Sequence, residues 1–215
     1  MTAHLKIDFV SDIACPWCVI GLRALEDALA HSADALDAEI AFQPFELNPA
    51  MPAGGQNIGE HIAEKYGSTR EQSAANRAMI VGRAADLGFT MAMNDDSRIY
   101  NTFDAHRLLH WAGLEGRQAE LKHALFAANF TDNADPSDHD VLVHAAETAG
   151  LDPVAAAAVL GSDRYVDAVR EAEAVWRARG INAVPAVVIN GKHLISGGQP
   201  AEIFEQALRQ IAAAG

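Results

Sequence analysis

The sequence predicts an α/β protein in which one small sheet with flanking helices is interrupted by a large all-helical insertion. Three observations carry this prediction. The chain opens with strand, helix and strand signals, shows only helices with legible ends from Asn57 to about Gly161, and closes as helix, strand, strand, helix. The sheet-forming parts lie on either side of the helical block, so the block is an inserted domain rather than a tail. The expected boundaries are 1–50 with 163–215 for the sheet domain and 51–162 for the insertion.

Leu5 to Val10 alternates apolar and polar residues and reads as the first strand. Cys18, Leu22, Leu25 and Leu29 then recur at helical spacing, predicting a helix from about Pro16 to Ala30. Pro16 suits a first helical turn, where its missing N–H costs nothing. Ile40 to Leu47 reads as the second strand, ended by Asn48-Pro49 and the Pro/Gly-rich stretch to Gln56. In the insertion, Ser68 and Glu71 have capping-box spacing and open a helix to about Leu87. Asn101 is expected to cap a helix through Trp111, with Gly113 just past its end. Further helices are expected from Arg117 to Phe130, from a Ser137 cap to near Gly150, and from Asp152-Pro153. A long helix from Asp163 to Arg179 ends at Gly180. Pro185 to Ile189 and His193 to Ser196 read as two strands joined by Asn190-Gly191, a strong hairpin signal. Pro200 opens the last helix, with Ile203, Phe204, Ala207, Leu208 and Ile211 along one side.

Half of the 215 residues are hydrophobic, enough for a sizeable core without disulfides or metals. A formal charge of -13 repels phosphate backbones, so no nucleic-acid partner is expected. The N-terminal stretch lacks a basic segment followed by a long apolar run, and Asp and His interrupt every apolar run before membrane-spanning length. The expectation is a cytoplasmic protein with no membrane partner.

The only two cysteines, Cys15 and Cys18, are separated by two residues. In a reducing compartment such a pair points to redox chemistry or metal binding rather than to a structural staple. A disulfide closing so short a loop constrains the unfolded chain little. The pair falls where the first strand meets the first helix, with Cys15 at the N-cap and Cys18 one turn in. Unpaired N–H groups and the positive end of the helix dipole favour an anion there, which marks Cys15 as the nucleophile. Cys18, on the buried side, then resolves a mixed disulfide. Inert core sulfur and half of a zinc site are the competing readings. No second Cys-x-x-Cys accompanies the pair, so no metal is expected, and disulfide exchange itself requires no cofactor.

These residues, with others along the chain, resemble the DsbA-like thioredoxin-fold superfamily and in particular its FrnE-like branch. The carriers are Asp12 to Gly21 (DIACPWCVIG), Pro44 to Pro49, Asn101 to Leu108 (NTFDAHRL), Val184 to Gly191 (VPAVVING) and Ile195 to Pro200. The resemblance implies a thioredoxin fold with the helical insertion. It implies a cis Val184–Pro185 bond beside the cysteines, with Pro16, Trp17, Val184 and Pro185 supporting the site. The Val184 main chain would be free to pair with an extended substrate segment. Some FrnE-like proteins carry a second cysteine pair near the C-terminus; this chain has none, which excludes shuttling to an internal second pair.

Expected partners are thiol- or disulfide-containing proteins or peptides, with glutathione as a small redox partner and oligomerisation left open. The same superfamily includes glutathione-dependent 2-hydroxychromene-2-carboxylate isomerases and kappa-class glutathione transferases, which typically place serine where Cys15 stands. A glutathione-dependent enzyme acting on a small aromatic molecule is therefore one alternative, and a chaperone-like peptide-binding module is another.

His106, one turn from His110 with Arg107 between, is expected either at the mouth of the site or on the wetter side of its helix. Asn101 is expected mainly as a cap. Asp12 is expected as a turn residue bonding its own backbone, or as a modulator of thiol protonation. Trp17 offers an apolar contact or simple packing. Met91 and Met93 are expected in core or loop anchoring, with an apolar groove as the alternative. Glu115, Glu120 and the Arg170-Glu171-Glu173 cluster read as solvated helix faces.

Overall fold

A computed structural model describes residues 3–214. Strand β1 (Ala3–Ser11) runs into helix α1 (Pro16–His31) and then strand β2 (Leu36–Pro44). The two strands are parallel, with Ala3 opposite Leu36 and Ser11 opposite Pro44. After the insertion, α8 (Val166–Ala178) leads to the hairpin β5 (Ala186–Ile189) and β6 (His193–Ser196), and α9 (Ala201–Ala214) closes the chain. β5 pairs antiparallel with β1, which gives a four-stranded sheet in the order β2-β1-β5-β6. Asn190 and Gly191 turn the hairpin at φ 53° and 66°, the left-handed values that such a two-residue turn requires.

The alternation of β1 sorts two cores. Leu5, Ile7 and Phe9 face α1, α9 and the helical block, and Phe9 meets Phe42 edge-on at 5.9 Å. Val10 looks the other way, joining Ala186 and Val188 against Trp176 of α8. Among the described residues no helix is long and apolar enough to cross a membrane.

The intervening stretch holds β3 (Gln56–Asn57), α2 (Ile58–Tyr66), α3 (Arg70–Asp86), β4 (Arg98–Ile99), α4 (Phe103–Leu114), α5 (Gln118–Phe130), α6 (His139–Thr148) and α7 (Pro153–Leu160). Helices α4 to α7 bury Leu108, Leu121, Leu125, Leu142 and Val159 in a common core.

Several expected boundaries shift. The second strand starts at Leu36 rather than Ile40, because pairing with Ala3 to Lys6 holds its polar Asp37 and Glu39 in the ladder. The insertion is not wholly helical: β3 and β4 form a two-residue ladder, too short for any alternation to show. Helix α2 has no counterpart among the expected helices. The capping box of α3 is Thr69 with Gln72, one residue beyond the expected Ser68 and Glu71. Thr102 and Asp138 take the N-cap positions assigned to Asn101 and Ser137, and Gly113 lies inside α4.

Candidate active site

The handover from β1 to α1 is shaped by Asp12. Its Oδ2 accepts the Leu47 N–H at 2.6 Å, and its Oδ1 accepts the Ala14 N–H at 3.2 Å. Its backbone carbonyl accepts the Cys15 N–H at 3.3 Å. The turn bond expected of Asp12 is therefore present, and a second bond ties this turn to the segment following β2. The turn delivers Cys15 as the N-cap residue of α1 in an extended conformation, φ -98° and ψ 109°, with Pro16 directly after it. No side chain caps this helix end, which leaves first-turn N–H groups and the helix dipole to act on the sulfur.

Both cysteines are free thiols. Cys15 is 4% exposed and lines a groove; Cys18, at 0%, lies one turn behind it. The Cys15 Sγ donates to the Val184 carbonyl at 3.7 Å, and the Val184–Pro185 peptide is cis, as the resemblance implies. Two glycines permit this approach. A Cβ on Gly21 would stand 2.9 Å from the Pro185 ring, and one on Gly198 would stand 3.0 Å from the Trp17 carbonyl. Trp17 is half-buried, lines the groove and lies under the Arg83 guanidinium at 5.3 Å.

The groove encloses about 890 Å³ between the start of α1, the cis-proline loop and the insertion. Its walls combine apolar side chains such as Phe45, Ile62 and Phe130 with Lys65, Arg77, Arg98 and Arg177 against Glu46 and Asp96. On a chain of net charge -13, this local excess of cations favours anionic occupants.

Burial raises the Cys18 thiol well above its ordinary pKa, and the neighbouring Cys15 raises it further. Burial alone would raise Asp12 as well, but His106, the Leu47 N–H and Thr102 outweigh it and hold the carboxyl below its usual value. Lys122 of α5 is also buried, which pushes its ammonium down to about 8 against the opposing charges of Cys18, Asp12 and Cys15.

The expected site residues divide. Cys15, Pro16, Trp17 and Val184 line the groove, and Cys18 and Pro185 stand behind them. His106 is at neither expected place: packing of α4 against β2 buries it, with Nε2 3.5 Å from Asp12 Oδ1, so it reaches the site only through Asp12. Asn101 accepts the Phe103 N–H at 2.9 Å, supporting the start of α4 without lining the groove. His110 stacks on Tyr165 at 5.0 Å, and Arg107 clasps the carbonyls of Val159, Ser162 and Arg164. Met91 is core, whereas Met93 lines the groove. The solvated reading of Glu173 is overturned: it is buried, accepts the Glu46 N–H, and shares Arg170 with the Glu46 carboxylate.

Lys122 was not singled out in the sequence. Its place one turn from Leu125 and Phe126, on the side of α5 that carries apolar residues, was the available signal. Among the described residues no three His, Cys, Asp or Glu side chains gather as a metal site.

A cysteine at the start of the first helix, touching a cis-proline loop at one end of a four-stranded sheet, defines a thioredoxin-fold protein with a helical insertion. Residues 6–209 match the DSBA-like thioredoxin domain, and the chain belongs to that family of oxidoreductases and isomerases. It is similar to the crystal structure of a probable DsbA oxidoreductase, SCO1869 from Streptomyces coelicolor, with 36% identity, 98% of this chain and 91% of that one covered, and a TM-score of 0.90. It is 28% identical to the uncharacterized protein YwbO of Bacillus subtilis (strain 168), across 97% of this chain and 96% of that one. The structure of a 2-hydroxychromene-2-carboxylate isomerase shares the fold at 17% identity, with 98% and 99% covered and a TM-score of 0.70.

Proposed function

We propose that this protein is a cytoplasmic thiol–disulfide oxidoreductase working by dithiol–disulfide exchange at Cys15 and Cys18. The observation that carries the reading is the geometry of Cys15: a thiol at an uncapped helix N-terminus, opening onto the groove, with a second thiol one turn behind. Cys15 as thiolate attacks a substrate disulfide and forms a mixed disulfide; Cys18 then attacks Cys15 and releases the reduced substrate. The reverse sequence oxidises a substrate dithiol. The Val184 main chain beside Cys15 suits an extended peptide segment, and the cationic walls suit an anionic one.

The size of the groove favours a second reading. About 890 Å³ is within the range of small-molecule sites, and its apolar walls suit an aromatic ligand beside a bound anionic thiol such as glutathione. In that reading the chain is a glutathione-dependent isomerase or transferase.

Equilibration in a series of glutathione redox buffers, followed by alkylation and mass measurement, separates the two. The oxidoreductase reading expects a reversible Cys15–Cys18 disulfide. Its midpoint assigns direction between the reducing end near about -270 mV and the oxidising end near about -120 mV. A glutathione adduct on Cys15 with no intramolecular disulfide would instead favour the second reading.

A further inference from the structure

Asn129 sits in the last turn of α5, half-buried, on the insertion side of the groove that Cys15 and Val184 also line. Its Nδ2 donates to the Ile13 carbonyl at 3.1 Å, two residues before Cys15 in the turn ahead of α1. A carbonyl can only accept, so this bond sets the carboxamide with its nitrogen toward Ile13 and its oxygen turned away. The Oδ1 accepts no hydrogen bond among the described residues, and it is not one of the buried polar atoms without a partner. It is therefore an open acceptor on the groove wall, held in place by the backbone of a fully buried residue.

Holding the turn uses only half of this side chain. Asp12 already takes the Ala14 and Cys15 N–H groups, and Asn129 adds the donor for the Ile13 carbonyl. The acceptor half is left over. A neutral amide suits the place, because a carboxylate there would repel both the Ile13 carbonyl and a thiolate at Cys15. The other insertion residues Phe130 and Met93 on this wall offer no side-chain oxygen to a ligand. An N–H pressed against them would lose its water without gaining a partner.

Strand geometry supplies the matching group. In an extended segment, successive residues turn their N–H and C=O groups to opposite edges. A segment lying against the cis-proline loop pairs through one edge with the Val184 main chain, and its other edge faces the insertion. Resting on the oxidoreductase reading, we propose that Asn129 is a substrate-binding residue whose Oδ1 accepts a main-chain N–H from that second edge, which selects extended polypeptide segments over small disulfides. The carboxamide reads the backbone and not the side chains, so it admits many sequences around the substrate cysteine.

The test uses a short peptide whose single cysteine is joined through a disulfide to nitrothiobenzoate. The mercaptoethanol conjugate, which has no peptide unit, is the control. The Cys15 thiolate forms a bond to the peptide sulfur, the bond from that sulfur to nitrothiobenzoate breaks, and nitrothiobenzoate leaves as a coloured thiolate. In Asn129→Ala, kcat/KM for the peptide is expected to fall about tenfold through KM. The control should be unchanged, because both Asp12 bonds still hold the turn. Methylating the main-chain N–H groups of the peptide one at a time should reveal one position where the wild type loses about tenfold and Asn129→Ala loses nothing further. An equal loss for peptide and control would mean that Asn129 only holds the turn, and no loss for either would mean that its oxygen meets no substrate; both overturn the proposal. A wild-type protein that attacks neither disulfide would overturn the oxidoreductase reading instead. Should Asn129→Ala fail to fold, the Cγ resonance of Asn129 is followed in the peptide mixed disulfide trapped by Cys18→Ser. A shift on loading the peptide that one methylated form abolishes supports the proposal, and a resonance indifferent to every methylation overturns it.

Discussion

The carboxylate of Asp12 and the imidazole of His106 lie 3.5 Å apart with both side chains only 1% exposed, joining the turn before the cysteines to a helix of the insertion. The same carboxylate holds the Leu47 and Ala14 N–H groups, so its loss leaves buried donors without acceptors. Asp12→Ala is expected to destabilise the fold by about 3 kcal/mol at neutral pH. The pH dependence has a definite sign. The folded carboxyl sits below its usual value, so its contribution is present above the unfolded pKa of about 3.9 and is lost as pH falls through the folded value. Urea denaturation of wild type and variant should therefore show a gap that is full at neutral pH and narrows in acid, leaving the part that a protonated carboxyl still supplies as an acceptor. A gap that widens on acidification would refute the assignment.

The two cysteines should fail differently when replaced. Cys15→Ser removes the groove-facing nucleophile and is expected to reduce disulfide exchange to background, a loss of about a thousandfold or more. Cys18→Ser leaves attack intact but removes resolution, so mixed disulfides at Cys15 should accumulate with protein or small-molecule thiols. Non-reducing gels and intact-mass spectra read this directly. A Cys18→Ser protein that turns over normally and holds no adduct would show that the buried thiol has no resolving role.

The outline of this fold was legible because its signals are local. Alternation from Leu5 to Val10, the helical spacing from Cys18 to Leu29 and the Asn190-Gly191 turn each follow from neighbouring residues, and each has its counterpart in the structure. What escaped depends on partners far along the chain. The β3–β4 ladder has only two residues on each side and is held by pairing across the insertion. Glu173 reads as a solvated residue until the fold brings Glu46 and Arg170 to it. Lys122 reads as an ordinary helix-surface lysine until β2 and α4 close over it. At the site, the cysteines and Pro185 were legible from motif and resemblance, whereas the burial of His106 was not, because α4 shows which face is covered only once docked.

Gly21 and Gly82 both lie inside helices, α1 and α3, and should respond to alanine with opposite signs. At Gly82 a Cβ meets nothing within 4 Å, so Gly82→Ala is expected to stabilise by about 0.5–1 kcal/mol through helix propensity. At Gly21 the same Cβ would stand 2.9 Å from the Pro185 ring. The clash outweighs the propensity gain, so Gly21→Ala is expected to destabilise by about 1–3 kcal/mol and to slow exchange by displacing the cis-proline loop from Cys15. Thermal melting and exchange assays on the two variants check this. Equal stabilisation of both would mean that the contact between α1 and the loop is slack.

Glu46 offers the opposite pH signature to Asp12. Burial raises its carboxyl above the ordinary value and the charge of Glu173 adds to this, although Arg170 opposes both. One of its oxygens, Oε1, is buried without a partner. A carboxyl with a raised folded pKa binds its proton more tightly in the native state. It therefore favours folding fully below the unfolded value of about 4.3, an advantage lost as pH rises through the folded value. Glu46→Gln is neutral at every pH and lacks this slope. Near neutrality it is expected to stay within about 1 kcal/mol of wild type, because the lost ion pair with Arg170 is offset by relief of repulsion from Glu173. Toward about pH 4 the wild type should gain stability relative to the variant. Urea midpoints for the two proteins across this range decide the matter, and parallel curves would show that Glu46 stays at its unfolded pKa despite its burial.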